Sequence, residues 1–227
     1  MRTVFFGVMR SHSMGVRAVL ALSLSIVLAP SAAHAEKVRN HFDSDTIMRP
    51  PGFFDLLILG APGPAKWLVL SDPNPPSAPN RLAQVDTKRP ADSIAAALRR
   101  NAVFQDGTVS TFVKRGAGRE GIVLRLKDEK NFLVLLVDAS GDVALIAYRD
   151  GKPAELGRGH RALERPWEEY SVKAEGSRLT VSFNDDQLFE ATDPHPVSGR
   201  TGLAAAGPGE ASFDEFVIDP ADASARN

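Results

Sequence analysis

Between Arg178 and Asn184 apolar and polar residues alternate one for one, which puts Leu179, Val181 and Phe183 on one side of an extended chain and Arg178, Thr180, Ser182 and Asn184 on the other. Glu169 to Glu175 does the same, turning Tyr170, Val172 and Ala174 inward, and Glu175-Gly176-Ser177 between the two segments is hairpin chemistry. Asn184-Asp185-Asp186 leads into a further short strand, Gln187 to Ala191. Upstream, Gly121 to Lys127, Asn131 to Asp138 and Val143 to Arg149 are predicted strands joined by Asp128-Glu129-Lys130 and Ala139-Ser140-Gly141-Asp142. Asp150-Gly151 then turns the chain toward Lys152 to Gly157. Turn signals at roughly 8 to 12 residue intervals without sustained helical periodicity predict an all-β fold, a two-sheet antiparallel jelly-roll sandwich.

Three stretches need separate treatment. Ser93 to Arg100 is rich in good helix formers, but it has room for only about two turns and is read as a strand. Pro50 to Pro79 holds eight prolines and three glycines around Trp67-Leu68-Val69-Leu70, which predicts loop with one short strand at Trp67. Phe132 to Val137 is apolar on both faces, so a sheet expected to be wet on one side reads as dry on both. The apolar run Phe53 to Leu59 is the segment expected to cover it; otherwise the face is an interface or an apolar-ligand surface.

Composition narrows the classes. The 227 residues carry 27 Lys+Arg, 28 Asp+Glu and no Cys, which excludes disulfides, thiolate zinc sites and a cysteine nucleophile. At the amino end Arg17 precedes the apolar run Ala18 to Ala29, followed by Pro30, Ser31 and Ala33-His34-Ala35. That is the pattern of a secretory signal peptide over residues 1–35, cleaved after Ala35, with Met14 favoured over Met1 as the start. The 12-residue run is far short of the roughly 20 that cross a bilayer, so no transmembrane segment is expected in the mature chain. Residues 36–227 then form a single sandwich domain with its core at about 40–219, secreted or periplasmic. Cleavage leaves 24 basic and 28 acidic side chains, a net charge of −4 that argues against nucleic acid or anionic lipid as a partner.

A resemblance runs along nearly the whole mature chain. Phe42-Asp43-Ser44-Asp45, Trp67 with the Asp72 to Asn80 loop, Asp106-Gly107-Thr108-Val109 and Gly121-Ile122-Val123-Leu124-Arg125 occur in order. Lys130-Asn131-Phe132, Asp150-Gly151-Lys152, Trp167, Leu188 to Asp193, Gly202-Leu203 and Phe213-Asp214-Glu215-Phe216 follow. Together they resemble secreted concanavalin A-like domains of the 3-keto-disaccharide hydrolase family and, more distantly, laminin G-like and family 16 glycoside hydrolase jelly rolls. The resemblance implies the fold more strongly than an activity, because such folds bind, hydrolyse or merely support. It also implies that Asp43, on the first strand, could share a structural calcium site with Asp214 on the last.

The chemistry of each relative can be sought in the residues. Retaining hydrolysis of the family 16 kind needs two acids converging on one face, and the Glu-x-Asp-x-x-Glu spacing that supplies them is absent. The pairs Glu168/Glu169, Asp185/Asp186 and Asp214/Glu215 are adjacent, and neighbours on a strand point to opposite faces. His41 shares an extended face with Asp43 and Asp45, while His160 and His195 sit in loops without a visible partner. No catalytic residue, resident metal or cofactor is assigned. A sugar site needs an aromatic platform with polar neighbours; Tyr148 supplies the first, and Arg125 and Asn131, on central strands, the second. Trp167 and Tyr170 are read as edge and core. Three readings follow: a non-catalytic module that binds a carbohydrate or a protein partner, a hydrolase of 3-keto-disaccharides, and a dimerising domain using the apolar sheet face.

Overall fold

The computed structural model describes residues 36–61, 63–114 and 116–221, together with residues 1, 3 and 7. The predicted signal peptide lies outside the described residues apart from those three. Among the described residues the secondary structure is fifteen strands: β1 (Val38–Asn40), β2 (Phe54–Leu59), β3 (Trp67–Ser71), β4 (Asn80–Gln84), β5 (Ile94–Phe104), β6 (Gly107–Lys114), β7 (Arg119–Asp128), β8 (Asn131–Val137), β9 (Asp142–Arg149), β10 (Lys152–His160), β11 (Trp167–Glu175), β12 (Arg178–Phe183), β13 (Asp186–Thr192), β14 (Gly199–Ala206) and β15 (Ala211–Pro220). No helix among them is long and apolar enough to cross a membrane.

The strands form two antiparallel sheets, as a jelly-roll sandwich requires. One runs β13-β12-β11-β6-β15-β4-β3, with β1 also paired to β15; the other runs β10-β9-β8-β7-β14-β5-β2. Their facing sides carry the alternating apolar residues: Ile122, Leu124, Leu133, Leu135 and Leu145 from the second sheet meet Val109, Tyr170, Val172, Val181, Phe213 and Phe216 from the first. Burial of each such side chain contributes about 1.5–3 kcal/mol, and in a chain without disulfides this core supplies the main stabilisation.

From Ile94 to Arg100 the predicted strand is present, as the start of β5, because its alanines fit between closely spaced neighbours: Ala95, Ala96 and Ala97 are fully buried opposite Ala205, Ala204 and Leu203. The expected cover is not where the sequence pattern put it. Phe54–Leu59 lies at the edge of the second sheet, hydrogen-bonded to β5 in the register Phe54↔Arg99 to Leu59↔Ile94. A short apolar run signals burial but not which neighbour provides it. The second sheet is nonetheless apolar on its outer side, where Leu98, Val123, Phe132, Val134 and Ala204 form a second buried cluster with Ile146 and Tyr148 packed against it.

One irregularity in this sheet reorganises the residues of interest. Arg125 has φ 51°, a left-handed conformation, and the β7–β8 register slips between Leu124 and Asp128. Such a bulge interrupts the alternation, so Leu126 falls on the same face as Val123 instead of opposite it. Gly199 on β14 fits against the bulge because it lacks a side chain: a Cβ there would lie 2.4 Å from the Arg125 carbonyl carbon.

Candidate ligand-binding site

Tyr148, near the end of β9, lies against Phe132 on β8, to which it is cross-strand paired. Their rings are 4.5 Å apart and within 11° of parallel. They form one wall of a hollow of about 420 Å³ on the outer side of the second sheet. Lys130, Glu129, Gly151 and Pro153 complete that wall, and Leu59, Gly60, Asp92 and Ile94 form the opposite one. Four strands separate β9 from β2, so the sheet must curl for the two walls to share a hollow; the right-handed twist of sheets brings diagonal corners together in this way. Burial raises the Tyr148 hydroxyl above the usual phenol range, with the Arg119 charge opposing and the Asp92 charge reinforcing the shift.

The hairpin turns beside Tyr148 are braced by Asn131. Its amide donates to Asp128 Oδ1 and Oδ2 at 2.9 and 3.1 Å, and its Oδ1 accepts the Asp150 N–H at 3.1 Å. Gly151 N–H reaches the Lys130 carbonyl at 3.0 Å. Asp150 and Gly151 have φ 51° and 78°, as a type I′ Asp-Gly turn requires. Asn131 therefore shapes the rim.

Arg125 does not face an open surface. It is 1% exposed, and its guanidinium donates to Asp193 Oδ2 at 2.9 Å, to the Gln105 carbonyl at 2.8 and 3.0 Å, and to the Gly176 carbonyl at 2.7 Å. The bulge that turned it inward cannot be seen in the alternation of residue types. Asp193 Oδ1 accepts in turn from Arg149 at 2.8 Å, tying the residue after Tyr148 to the same centre. Of the three predicted residues, Tyr148 lines the hollow, Asn131 braces its rim, and Arg125 anchors the strand end that carries it.

Elsewhere the acids and histidines take structural places. His160 pairs with Asp142 at 2.8 Å, a partner the sequence did not reveal, but both are well exposed and outside the hollow. Asp193 Oδ1 accepts the backbone N–H of His195 at 3.1 Å. Asp43 and Asp214 are bridged by Ser77: its N–H donates to Asp214 at 2.6 Å and its hydroxyl to Asp43. Asp214 also accepts the Glu215 N–H, and Asp43 accepts from Asn80 and contacts His41. Burial, only partly offset by these backbone N–H bonds, pushes Asp214 up to about 7. Calcium takes six to eight oxygens. Here all four carboxylate oxygens already accept protein donors, and of the side chains in this cluster Asn80 leaves its Oδ1 buried without a partner. Among the described residues no group of three or more His, Cys, Asp or Glu could hold a metal ion. The arrangement is a hydrogen-bonded clasp and does not fit a calcium cage.

The fold and this site define an all-β, jelly-roll sandwich. No protein-family model matches the sequence, and no curated protein matches it either. Among solved structures the chain is similar to the carbohydrate-binding module CBM66 from Bacillus subtilis, with a TM-score of 0.54 and 17% identity over 73% of this chain and 95% of that one. A Bacillus subtilis protein of unknown function with a galectin-like fold gives 0.47 and 15%, covering 62% and 82%. The Caenorhabditis elegans galectin LEC-6 gives 0.40 and 14%, covering 49% and 83%.

Proposed function

We propose that the protein is an exported, non-catalytic carbohydrate-binding sandwich that seats a sugar ring against Tyr148. The observation that carries this reading is the stacked Phe132–Tyr148 pair in a hollow of about 420 Å³ whose walls also carry three charged groups, Asp92, Glu129 and Lys130. Small-molecule sites are mostly apolar with a handful of polar groups that set orientation. Tyr148→Ala is expected to weaken saturable glycan binding about tenfold, the loss of roughly 1.4 kcal/mol of ring contact. Titration calorimetry against neutral disaccharides, with and without oxidation at C3, and against polysaccharides measures this; equal binding by the variant would remove Tyr148 from the site.

Hydrolysis of 3-keto-disaccharides is the second reading, favoured by one observation: two carboxylates, Asp92 and Glu129, line the same hollow from opposite walls. Glycoside hydrolysis needs two acids flanking the bond, roughly 5 to 9.5 Å apart. Product analysis during the same titrations separates the readings, since turnover that disappears in Asp92→Asn and Glu129→Gln would make the hollow an active site.

The clasp joining Asp43, Ser77 and Asp214 is proposed to work without metal. Calcium or a chelator should leave the melting temperature unchanged. A rise that follows calcium concentration by mass action would mean a cation displaces the Ser77 donors.

A further inference from the structure

A second hollow, on the other sheet, has a different chemistry. Trp167 opens β11 and lies opposite Lys114, the last residue of β6. Lys114 Nζ is 5.6 Å from the indole centroid and 2.5 Å from Asp72 Oδ2, which also lies 3.2 Å from Arg81 Nε. Asp72 is buried, and its Oδ1 accepts the Asn74 N–H at 3.0 Å. Burial pushes this carboxyl up, but the Lys114 and Asn74 hydrogen bonds outweigh it and hold Asp72 below the usual range. The acid is thus a fixed anion with two cations beside it.

Trp167, Lys114, Asp72 and Asn74 line a hollow of about 350 Å³ together with Pro73, Pro166 and Arg165. Arg165 is exposed and has no ion pair among the described residues. Its position is nevertheless built. The buried Glu168 carboxylate accepts the N–H groups of Glu164 and Arg165 at 2.9 and 2.7 Å and is itself held by Asn184 at 2.7 Å. An adjoining hollow of about 330 Å³ shares Lys114, Arg165 and Pro166 and adds the exposed Glu164. Trp167 is 8% exposed, and its Nε1 is buried with no hydrogen-bond partner.

We propose that this hollow is a distinct binding site for an acidic sugar unit. The carboxylate of the ligand pairs with Arg165 and Lys114, where charge-assisted bonds are strong. The flat apolar walls of Trp167, Pro73 and Pro166 take the ring, and Asp72 holds Lys114 in place beneath it. A neutral sugar would leave Arg165 unpaired, and a small carboxylate without a ring would leave the walls empty, so the site selects for both features.

The test titrates the full chain with glucuronate, glucose and acetate, reading tryptophan emission and heat. Glucuronate is expected to saturate at millimolar concentration, more tightly at low salt, and to outbind glucose and acetate. Arg165→Ala, a surface change, should cut glucuronate affinity about tenfold or more, the worth of one charge-assisted hydrogen bond, and Arg165→Lys should retain part of it. Tyr148→Ala should leave it unchanged, which separates this site from the first. Absence of saturation, glucose or acetate matching glucuronate, or an Arg165→Ala variant that binds like wild type would overturn the proposal.

Discussion

Replacing Arg125 with alanine is expected to destabilise the fold by about 3–5 kcal/mol, the range for removing one partner of a buried ion pair. The guanidinium is 1% exposed and its main partner, Asp193, is fully buried. With alanine in its place, Asp193 keeps only Arg149 as a charged partner, and the Gln105 and Gly176 carbonyls lose the donor they share. Alanine would also have to hold φ near 51°, where a side chain offers no compensation. Urea unfolding followed by circular dichroism gives the difference directly. The double variant Arg125→Met with Asp193→Leu should recover part of the loss, since it removes the buried carboxylate together with its partner, while Arg149 and the Gln105 and Gly176 carbonyls still lose theirs. If Arg125→Ala instead keeps its unfolding midpoint and loses ligand affinity, the residue acts in recognition and the buried anchor is misassigned.

That contrast marks where sequence stopped being informative. The strict alternation of β11 and β12 made their strands and inward faces legible, and Tyr148 could be picked out as an aromatic residue ending a strand. Arg125 could not be placed, because a regular strand through Ile122-Val123-Leu124-Arg125-Leu126 puts it opposite Leu124 and Leu126, and nothing in an arginine announces a left-handed φ. The wall formed by Leu59, Asp92 and Ile94 was equally hidden. It meets Tyr148 only through the curl of a seven-stranded sheet, a property of the whole layer and not of any segment. The second hollow depends on Asp72 meeting Lys114 across 42 residues, an encounter made when the proline-rich loop folds over the first sheet. Local pattern specifies elements and their faces; contacts between distant loops are set by how the elements assemble.

The same assembly creates a dependence on pH. Glu120 lies on β7 with its carboxyl in the interior, 3% exposed, and its Oε1 has no hydrogen-bond partner. Burial pushes it from the 4.5 of a free glutamate up to about 8; the Asp138 charge adds to the shift, and a backbone hydrogen bond opposes it. Tyr170, whose hydroxyl is also buried without a partner, is raised by burial and by the charges of Glu168, Glu120 and Asp138. Below about pH 4.5 Glu120 is protonated in folded and unfolded chains alike, and contributes no pH dependence. Above that, the unfolded chain releases the proton while the fold retains it, so stability falls as pH rises, by about 1.4 kcal/mol per unit, until the folded group ionises near pH 8. The full span is of the order of 5 kcal/mol for this one group. Asp214, raised to about 7, acts in the same direction and levels off about a unit earlier. Glu120→Gln should therefore change little at pH 5 and stabilise the protein by a few kcal/mol at pH 8, with urea midpoints at pH 5, 6, 7 and 8 as the measurement. Asp214→Asn should flatten the lower part of the remaining slope. Wild-type and Glu120→Gln profiles that run parallel across this range would mean that water reaches the carboxylate, and that the interior between β7 and β11 is open at that end.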